Sequence, residues 1–455
     1  MKKLNILSRI AMFIVLFFTI NACSTGDLDP SLEQNKDVNG GITSADNLYA
    51  IIKGSYSILT DNGYYGRDYI INNEVRSDNC FSNGNSGRFT TQAGFSYNAN
   101  TGYFWDEAYE AIAGANIIIS QNPAELEGEE AYIKHLQGQA YALRALVHFD
   151  LLKQYGQQHT GGTLGIPYVT EFKGENLIPA RNTVEDCKTK IMSDLDMAFS
   201  LMDESYNTSS EFLTKFAAKA IESRVAVYFG MWTDAISACE AVIGSGNYSI
   251  IAASDYVKHW TSDQSSNSIF ELAFNSSDNQ GINGLAYIYR TTEGGSYGDV
   301  QVIDEVEDLY EDGDVRAGIL GWEGTMLRNI GKYPNNKGED NVIVIRYEEV
   351  ILNYAEALFE TGGDALTQIN LITENRGISP YTSVTKDDIL NERRKEFIFE
   401  GHRFEDLVRF GKNIEKISLQ QNFAATIPYG DYRLSWPIPQ AEVDANSNMV
   451  QNTGY

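Results

Sequence analysis

Residues 393–413, RRKEFIFEGHRFEDLVRFGKN, gather Arg393, Arg394, Lys395, Arg403, Arg409 and Lys412 in a chain whose formal net charge is −27. Two chemistries would use such a knot: guanidinium groups binding an anion, or a proton passing between Glu400 and His402. Glu400 and His402 stand two positions apart, which puts them on different faces of a helix. The spacing suits ion pairs better, Glu392 with Lys395, Arg393 with Glu396, Glu400 with Arg403, and Glu405 with Arg409. Phe397, Phe399, Phe404, Leu407 and Phe410 supply apolar surface to bury beneath them. Arginine–carboxylate networks of this kind hold helices together more often than they catalyse, so the stretch is read as structural.

Other acidic groups are weighed the same way. Glu74 and Asp78 lie in EVRSDN; a glycosidase needs two carboxylates about 5–10 Å apart, but turn capping explains the pair equally well. In DLYEDGDVR, Asp308, Asp312 and Asp314 hint at a calcium loop. The third-position ligand and the glutamate at position 12 are missing, so this segment is also read as structural and no metal is expected. HExxH, GxSxG and GxxxxGK[ST] are absent, and the five histidines are scattered at 135, 148, 159, 259 and 402. The expectation is a non-catalytic protein without a cofactor.

The N-terminus sets the compartment. Lys2, Lys3 and Arg9 precede an apolar run from Ile10 to Ile20, broken only by Thr19, and Asn21-Ala22-Cys23 follows. The run is too short for the roughly 20 residues of a membrane span and reads as a secretory signal. Its end resembles a bacterial lipobox, which predicts removal of residues 1–22, a lipid on Cys23 as anchor to the outer membrane, and a flexible acidic tether over 23–40. Residues 1–22 hold three basic and no acidic groups, so the balance becomes 32 basic against 62 acidic, or −30. Such a surface repels nucleic acid, which is excluded as a partner. Cys80, Cys187 and Cys239 lack CxxC or metal spacing and are expected as buried thiols.

The elements that must position any site are mostly helical. Over 131–155, Ile133, Leu136, Ala140, Leu143, Val147 and Leu151 recur every three or four residues as one apolar stripe. Helix pairs are predicted over 213–243, meeting near Gly230-Met231-Trp232, and over 346–375, broken at Gly362-Gly363. A shift of 130 residues superposes Phe229 on Phe359, Asp234-Ala235-Ile236 on Asp364-Ala365-Leu366, and Cys239 and Val242 on Ile369 and Ile372. An aspartate opening the second helix of each pair, accepting from free amides, suits a tetratricopeptide-like hairpin. Residues 61–104 and 276–300, rich in Gly, Asn, Ser and Tyr, are long irregular segments of the kind that carry function.

Several stretches together resemble the SusD/RagB family of outer-membrane nutrient-binding lipoproteins: ILNERRKEFIFEGHRFEDLVRFG, QAYALRALVHFDLLKQYG (139–156), WDEAYEAIAGAN (105–116), RYEEVILNYAEAL (346–358) and the closing WPIPQAEVDANSNMVQNTGY (436–455). The resemblance spans nearly the whole chain. It implies a mainly α fold, tetratricopeptide-like helical hairpins (a SusD-like fold) with a loop-rich ligand-binding face. It implies one domain over 41–455, with an N-terminal half to about residue 250 and a C-terminal half from about residue 265. It further implies surface display, an oligosaccharide ligand and a SusC-like TonB-dependent transporter as partner; a peptide-binding lid of a RagAB-like importer and, last, a surface glycoside hydrolase are the alternatives.

A sugar site wants aromatic platforms edged by amides, carboxylates and guanidinium groups. The first loop region offers Tyr64, Tyr65, Arg67, Arg88, Phe89, Phe95, Tyr97, Asn98 and Asn100, and the second offers Tyr287, Tyr289, Arg290 and Tyr297, with Trp322 beyond. Trp105 and Tyr109, at helical spacing, are expected in the core.

Overall fold

The computed structural model describes residues 41–173, 178–291 and 297–455. The signal, Cys23 and the tether lie outside the described residues. Among those described, no helix is long and apolar enough to cross a membrane.

The fold is mainly α. Helices α1 (Ala45–Leu59), α2 (Asp68–Val75), α3 (Trp105–Ile119), α4 (Glu130–Tyr155), α5 (Val184–Leu201), α6 (Lys215–Tyr228) and α7 (Trp232–Ser245) fill the first half, interrupted by strand β1 (Cys80–Ser82). Strands β2 (Ser268–Leu272), β3 (Val300–Val302), β4 (Leu320–Glu323), β5 (Met326–Asn329) and β6 (Val342–Arg346) precede α8 (Tyr347–Thr361), α9 (Ala365–Glu374), α10 (Lys386–Phe397) and α11 (Arg403–Arg409). The helices α1, α3, α4, α5, α6, α7, α8 and α9 pack each on the next, which makes four successive pairs. The two irregular segments of the sequence are insertions, one between α1 and α3, the other between α7 and α8. They meet through β1, which pairs antiparallel with β3, Cys80 opposite Val302.

Local chemistry explains most boundaries. Ser44, Thr183, Thr214 and Thr385 each cap a helix by accepting from a backbone N–H in its first turn. The predicted apolar stripe lies on α4, but from Ala142 onward every residue of that helix is buried. Polar groups there are therefore inside: Arg144 pairs with Asp194 at 2.7 Å, and Gln154 donates to Asn73 at 3.1 Å.

The hairpin repeat holds with one change. Ala235, Cys239 and Val242 are buried on α7 as Ala365, Ile369 and Ile372 are on α9, which keeps the 130-residue shift. Tyr228 and Thr361 end their helices, and Trp232 and Ala365 begin the next, 133 positions apart in each case. Helix α7 thus starts a turn early relative to its own buried face. In consequence Asp364 caps α9, accepting from Thr367 N–H at 3.0 Å, whereas Asp234 lies inside the first turn of α7 and caps nothing.

The basic knot is structural, though none of the four local pairings forms. Glu396 is buried and accepts from Arg346 at 2.8 Å, Arg376 at 2.7 Å and Arg316 at 3.2 Å. Glu400 accepts from Lys332 and from two nitrogens of Arg346; Glu392 holds Arg316, and Lys395 holds Glu311. Arg393 and Arg409 share Asp406, and Arg403 grips Asp78 with two 2.7 Å hydrogen bonds. Two physical facts redirect these partners. The chain leaves helical geometry after Phe397, with positive φ at Phe399 and Gly401, so helical spacing no longer relates Glu400 to Arg403. A buried guanidinium also needs several acceptors, more than one helical neighbour provides.

The C-terminal segment folds back over the end of α4. Trp436 N–H donates to Gln154 O at 2.7 Å, Asn452 Nδ2 donates to Tyr155 O at 2.9 Å, and Arg181 donates to Asn452 Oδ1 at 2.8 Å.

Candidate functional site

The pairing of β1 with β3 brings residues 83–89 against residues 297–299. Asn83 N–H donates to Asp299 O at 3.0 Å, and Asn83 Nδ2 donates to Gly298 O at 2.7 Å. Asn85 Nδ2 donates to Tyr297 O at 2.8 Å. Asp299 is buried, and its carboxylate accepts from Ser86 N–H at 3.1 Å and from Arg88 Nη1 at 3.4 Å. Phe89, in a left-handed conformation and buried, pins the end of this loop beneath the Arg67 guanidinium.

On this frame the Arg88 guanidinium lies over the Tyr297 ring, 4.2 Å from its centroid. Arg88 Nη2 and Arg67 Nη1 both donate to Asn283 Oδ1, at 3.3 and 3.4 Å. Tyr287 is half-buried beside them, its carbonyl accepting from Gly298 N–H at 2.9 Å. The result is a partly open aromatic ring carrying a guanidinium that remains 30 % exposed, edged by side-chain amides. Such a face offers hydrogen-bond donors and acceptors around a stacking surface, the combination a hydroxyl-rich ligand requires.

The predicted residues thus divide. Arg67, Arg88, Tyr287 and Tyr297 come together from both loop regions, on a footing that includes Phe89. Tyr64 and Tyr65 are buried; with Tyr69 they donate to the Asp150 carboxylate at 2.7, 2.7 and 2.8 Å, and burial raises all three phenols. Phe95 is buried between Arg76 and the rings of Phe404 and Phe423. Tyr97 is buried flat on Trp436. Tyr289 is buried against Phe399. For these rings the faces proposed for ligand stacking are occupied by protein, because long-range partners fill what local composition marks as loop.

Arg290 is turned to the carbonyls of Tyr333 and Pro334, at 3.1 and 2.6 Å. Asn98 and Asn100 are exposed in a turn whose Asn98 Oδ1 accepts from Asn100 N–H at 2.9 Å. Trp322 is 46 % exposed on β4, and its indole donates to Glu307 at 2.8 Å. The next residue, Glu323, points to the other face of the strand and pairs with Arg328 at 3.4 Å. Asn83, Asn85, Asn283 and Asp299 were not singled out from sequence. The Asn-Gly and Ser-Gly steps of 83–87 marked a turn-rich loop but carried no sign of its partner.

The other acidic candidates have structural employment. Glu74 is buried, accepting from Asn79 Nδ2 at 3.0 Å and Gly401 N–H at 2.9 Å, and burial pushes its carboxyl up to about 7. Asp78 is buried too, but Arg403 and Arg394 outweigh that burial and hold it below the usual carboxylate range. Asp314 is closed on Arg316 at 2.7 Å. Burial raises Glu400, yet Arg346 and Lys332 bring it down to about 2, while burial takes His402 down to about 4. At neutral pH one is an anion and the other neutral, so no proton is shared between them. Cys80, Cys187 and Cys239 are buried free thiols. Trp105 is buried, and Tyr109 is half-buried with its hydroxyl on Pro167 O at 2.8 Å.

Stacked helical pairs thus support a face built from two paired loop insertions. Residues 324–455 match the family model described as SusD family, and residues 28–227 match the one described as starch-binding associating with outer membrane. A SusD-like protein of Formosa agariphila is 24 % identical over 540 aligned positions that span all of both chains. The starch-binding protein SusD of Bacteroides thetaiotaomicron is 32 % identical over 147 residues, covering 30 % of this chain and 26 % of that one. A SusD superfamily protein of Bacteroides thetaiotaomicron superposes with a TM-score of 0.83 at 27 % identity, covering 90 % of this chain and all of the other. The chain belongs to the SusD/RagB family.

Proposed function

We propose that this protein is a non-catalytic, outer-membrane-associated glycan-binding lipoprotein, held by a lipid on Cys23, which captures oligosaccharides and passes them to a SusC-like TonB-dependent transporter. The observation that carries the ligand part is the Arg88–Tyr297 pair at 4.2 Å, set on a frame of side-chain amides where the two loop insertions meet. A sugar ring has an apolar C–H face and a rim of hydroxyls, and this surface offers a counterpart to each. The kinship with a protein named as starch-binding supports the ligand class, and the description of the matched family model supports the membrane association.

The transporter partner and the anchor rest on family membership together with the lipobox-like sequence ending at Cys23. The non-catalytic reading is supported by Glu74, buried and held by Asn79 and Gly401, and by Asp78 and Glu400, buried in ion pairs: the carboxylates singled out from the sequence are tied up in the scaffold and are not placed as a glycosidase pair would be.

Calorimetric titration of the full chain in detergent against a panel of oligosaccharides and peptides, with each ligand analysed for cleavage afterwards, tests the reading. Saturable binding of an intact oligosaccharide supports it. Binding of peptides alone replaces the glycan with a peptide, and cleavage overturns the non-catalytic assignment.

A further inference from the structure

The candidate face stands on a ribbon of two short strands, β1 and β3, and among the described residues no third strand joins them. A two-stranded ribbon holds its shape poorly by itself in water. Whatever grips its open edge therefore decides where the loop that carries Arg88 is placed. Asn79 O and Asn83 N–H bond toward the β3 side, the first accepting from Ile303 N–H and the second donating to Asp299 O, each at 3.0 Å. Backbone groups alternate between the two edges of a strand, which turns those of Ser82 outward.

Both outward groups of Ser82 are taken by one side chain. Ser82 N–H donates to Asn422 Oδ1 at 2.9 Å, and Asn422 Nδ2 donates to Ser82 O at 2.8 Å. The Asn422 amide thus does for β1 what the peptide of a neighbouring strand would do. Its neighbours seat it. Gln421 is buried, donates to Ser77 O at 3.2 Å and accepts from the N–H groups of Ile417 and Ser418. Gln420 accepts from Asp304 N–H at 2.9 Å, and Phe423 is buried against Phe95. Three consecutive amide side chains from the C-terminal half therefore reach the approach to β1, β1 itself and the exit from β3.

From Ser82 the path to the candidate site is one hydrogen bond long. The Ser82 hydroxyl donates to Arg88 O at 2.7 Å, and the Arg88 guanidinium lies on Tyr297 and reaches Asp299. We propose that Asn422 is a positioning residue for this face: by holding both backbone groups of Ser82 it fixes where Arg88 stands, from a segment outside both loop insertions. The inference rests on reading the face as the glycan site. Asn422 is itself exposed, so the fold as a whole should survive its loss while the loop shifts.

Hydrogen exchange read by mass spectrometry on the full chain in detergent tests this, comparing the parent with Asn422→Ala, Ser82→Ala and their double variant. Leu419→Ser is the control, at a side chain 98 % exposed in the same segment. Asn422→Ala should speed exchange over residues 80–89 and 297–303 by about tenfold, from the loss of two hydrogen bonds, with helix exchange and melting temperature held. The control should match the parent. Because Asn422 acts through Ser82, the double variant should exchange over 84–89 no faster than the faster single variant, since coupled residues do not add. Parent-like exchange in Asn422→Ala, loosening spread over the helices, the same loosening in the control, or additive effects overturns the proposal. Calorimetry with maltoheptaose and laminariheptaose gives a second readout. A sugar that the parent binds should be held about fivefold more weakly, or worse, by Asn422→Ala, and equal affinity overturns the positioning role. Should the parent bind neither sugar, the glycan reading loses support, while the exchange result still decides whether Asn422 fixes the loop.

Discussion

Tyr97 lies flat on Trp436, the two ring centroids 4.2 Å apart and the planes 12° from parallel. The Tyr97 hydroxyl donates to the carbonyl of Arg433 and accepts from Arg76 at 3.2 Å. A residue flanked by Ser and Asn, and chosen from sequence as a sugar platform, is a rivet between the first loop insertion and the end of the chain.

Tyr97→Ala should therefore destabilise the protein by about 3–5 kcal/mol, the range for deleting a buried aromatic. Urea unfolding measures this, and oligosaccharide affinity at a temperature where the variant is folded should equal that of the parent. A stable variant with lost affinity would return Tyr97 to the binding face.

Tyr297→Ala and Arg88→Ala should behave in the opposite way. Tyr297→Ala removes half of a partly exposed cation–π pair, so its cost in stability should be below about 1 kcal/mol; Arg88→Ala also takes the cation from the buried Asp299 carboxylate and should cost about 1–3 kcal/mol. Ligand affinity should fall by more than about 1 kcal/mol, the usual worth of an aromatic contact. Calorimetry on the two variants, beside their melting temperatures, separates the outcomes.

Glu396→Gln leaves Arg316, Arg346 and Arg376 around a neutral amide in a buried site. Breaking a buried ion pair from one side costs about 3–5 kcal/mol, because the remaining charges stay desolvated. The midpoint of chemical denaturation should drop accordingly, and an unchanged midpoint would mean that water reaches this network.

The same carboxylates set the acid limit of the fold. Arg224 holds Glu349 at about 2 against the opposing effect of burial, and Arg346 and Lys332 do so for Glu400. Glu396, Asp78 and Asp406 are likewise depressed, burial being outweighed by their arginines. With folded pKa values below the ordinary ones, the unfolded chain binds more protons, so this stability is present above about pH 4.5 and drains away as the pH falls toward 2. Glu74 has the opposite sign: raised to about 7 in the fold, it adds stability as the pH falls from 7 toward its ordinary value of 4.5 and adds little more below that, so it does not offset the loss toward pH 2. Denaturant titrations from pH 6 to pH 2.5 should show the unfolding free energy falling steeply below pH 4.5; a flat profile would contradict the ion-pair assignment.

Cys23→Ala should release the protein from the membrane fraction in cells that lack the transporter. Continued fractionation with the outer membrane would rule out the lipid as the anchor.

What the sequence made legible was whatever depends on near neighbours. The apolar stripe of α4, the break at Gly362 and the Asp364 cap all arise from contacts within one or two turns. The extra turn of α7 that strands Asp234 could not be seen, because an aspartate suits a cap and a first turn alike. Partners across the chain were hidden for a different reason. Arg316 finds Glu392, Arg403 finds Asp78, and Arg88 finds Tyr297 through tertiary folding, which spacing along a helix does not encode. The same holds at the candidate face, where composition located both loops but β1–β3 pairing decided that Arg67, Arg88, Tyr287 and Tyr297, with Phe89 beneath, would meet there.

The closure of the C-terminal segment over α4 has a consequence for how the molecule is made. Glu74 is satisfied by Gly401, Asp78 by Arg403, Tyr97 by Trp436, and the carbonyl at the end of α4 by Asn452. A nascent chain lacking its last sixth would leave Glu74 its bond from Asn79 but would take Arg403 from Asp78 and the covering Trp436 from Tyr97. The loops that build the candidate face consequently cannot settle until the last segment is in place, and contacts of such long sequence separation form slowly. The fold thus carries its own test of completeness: a copy cut short of its last segment should open more readily, and be cleaved by proteases sooner, than the finished one.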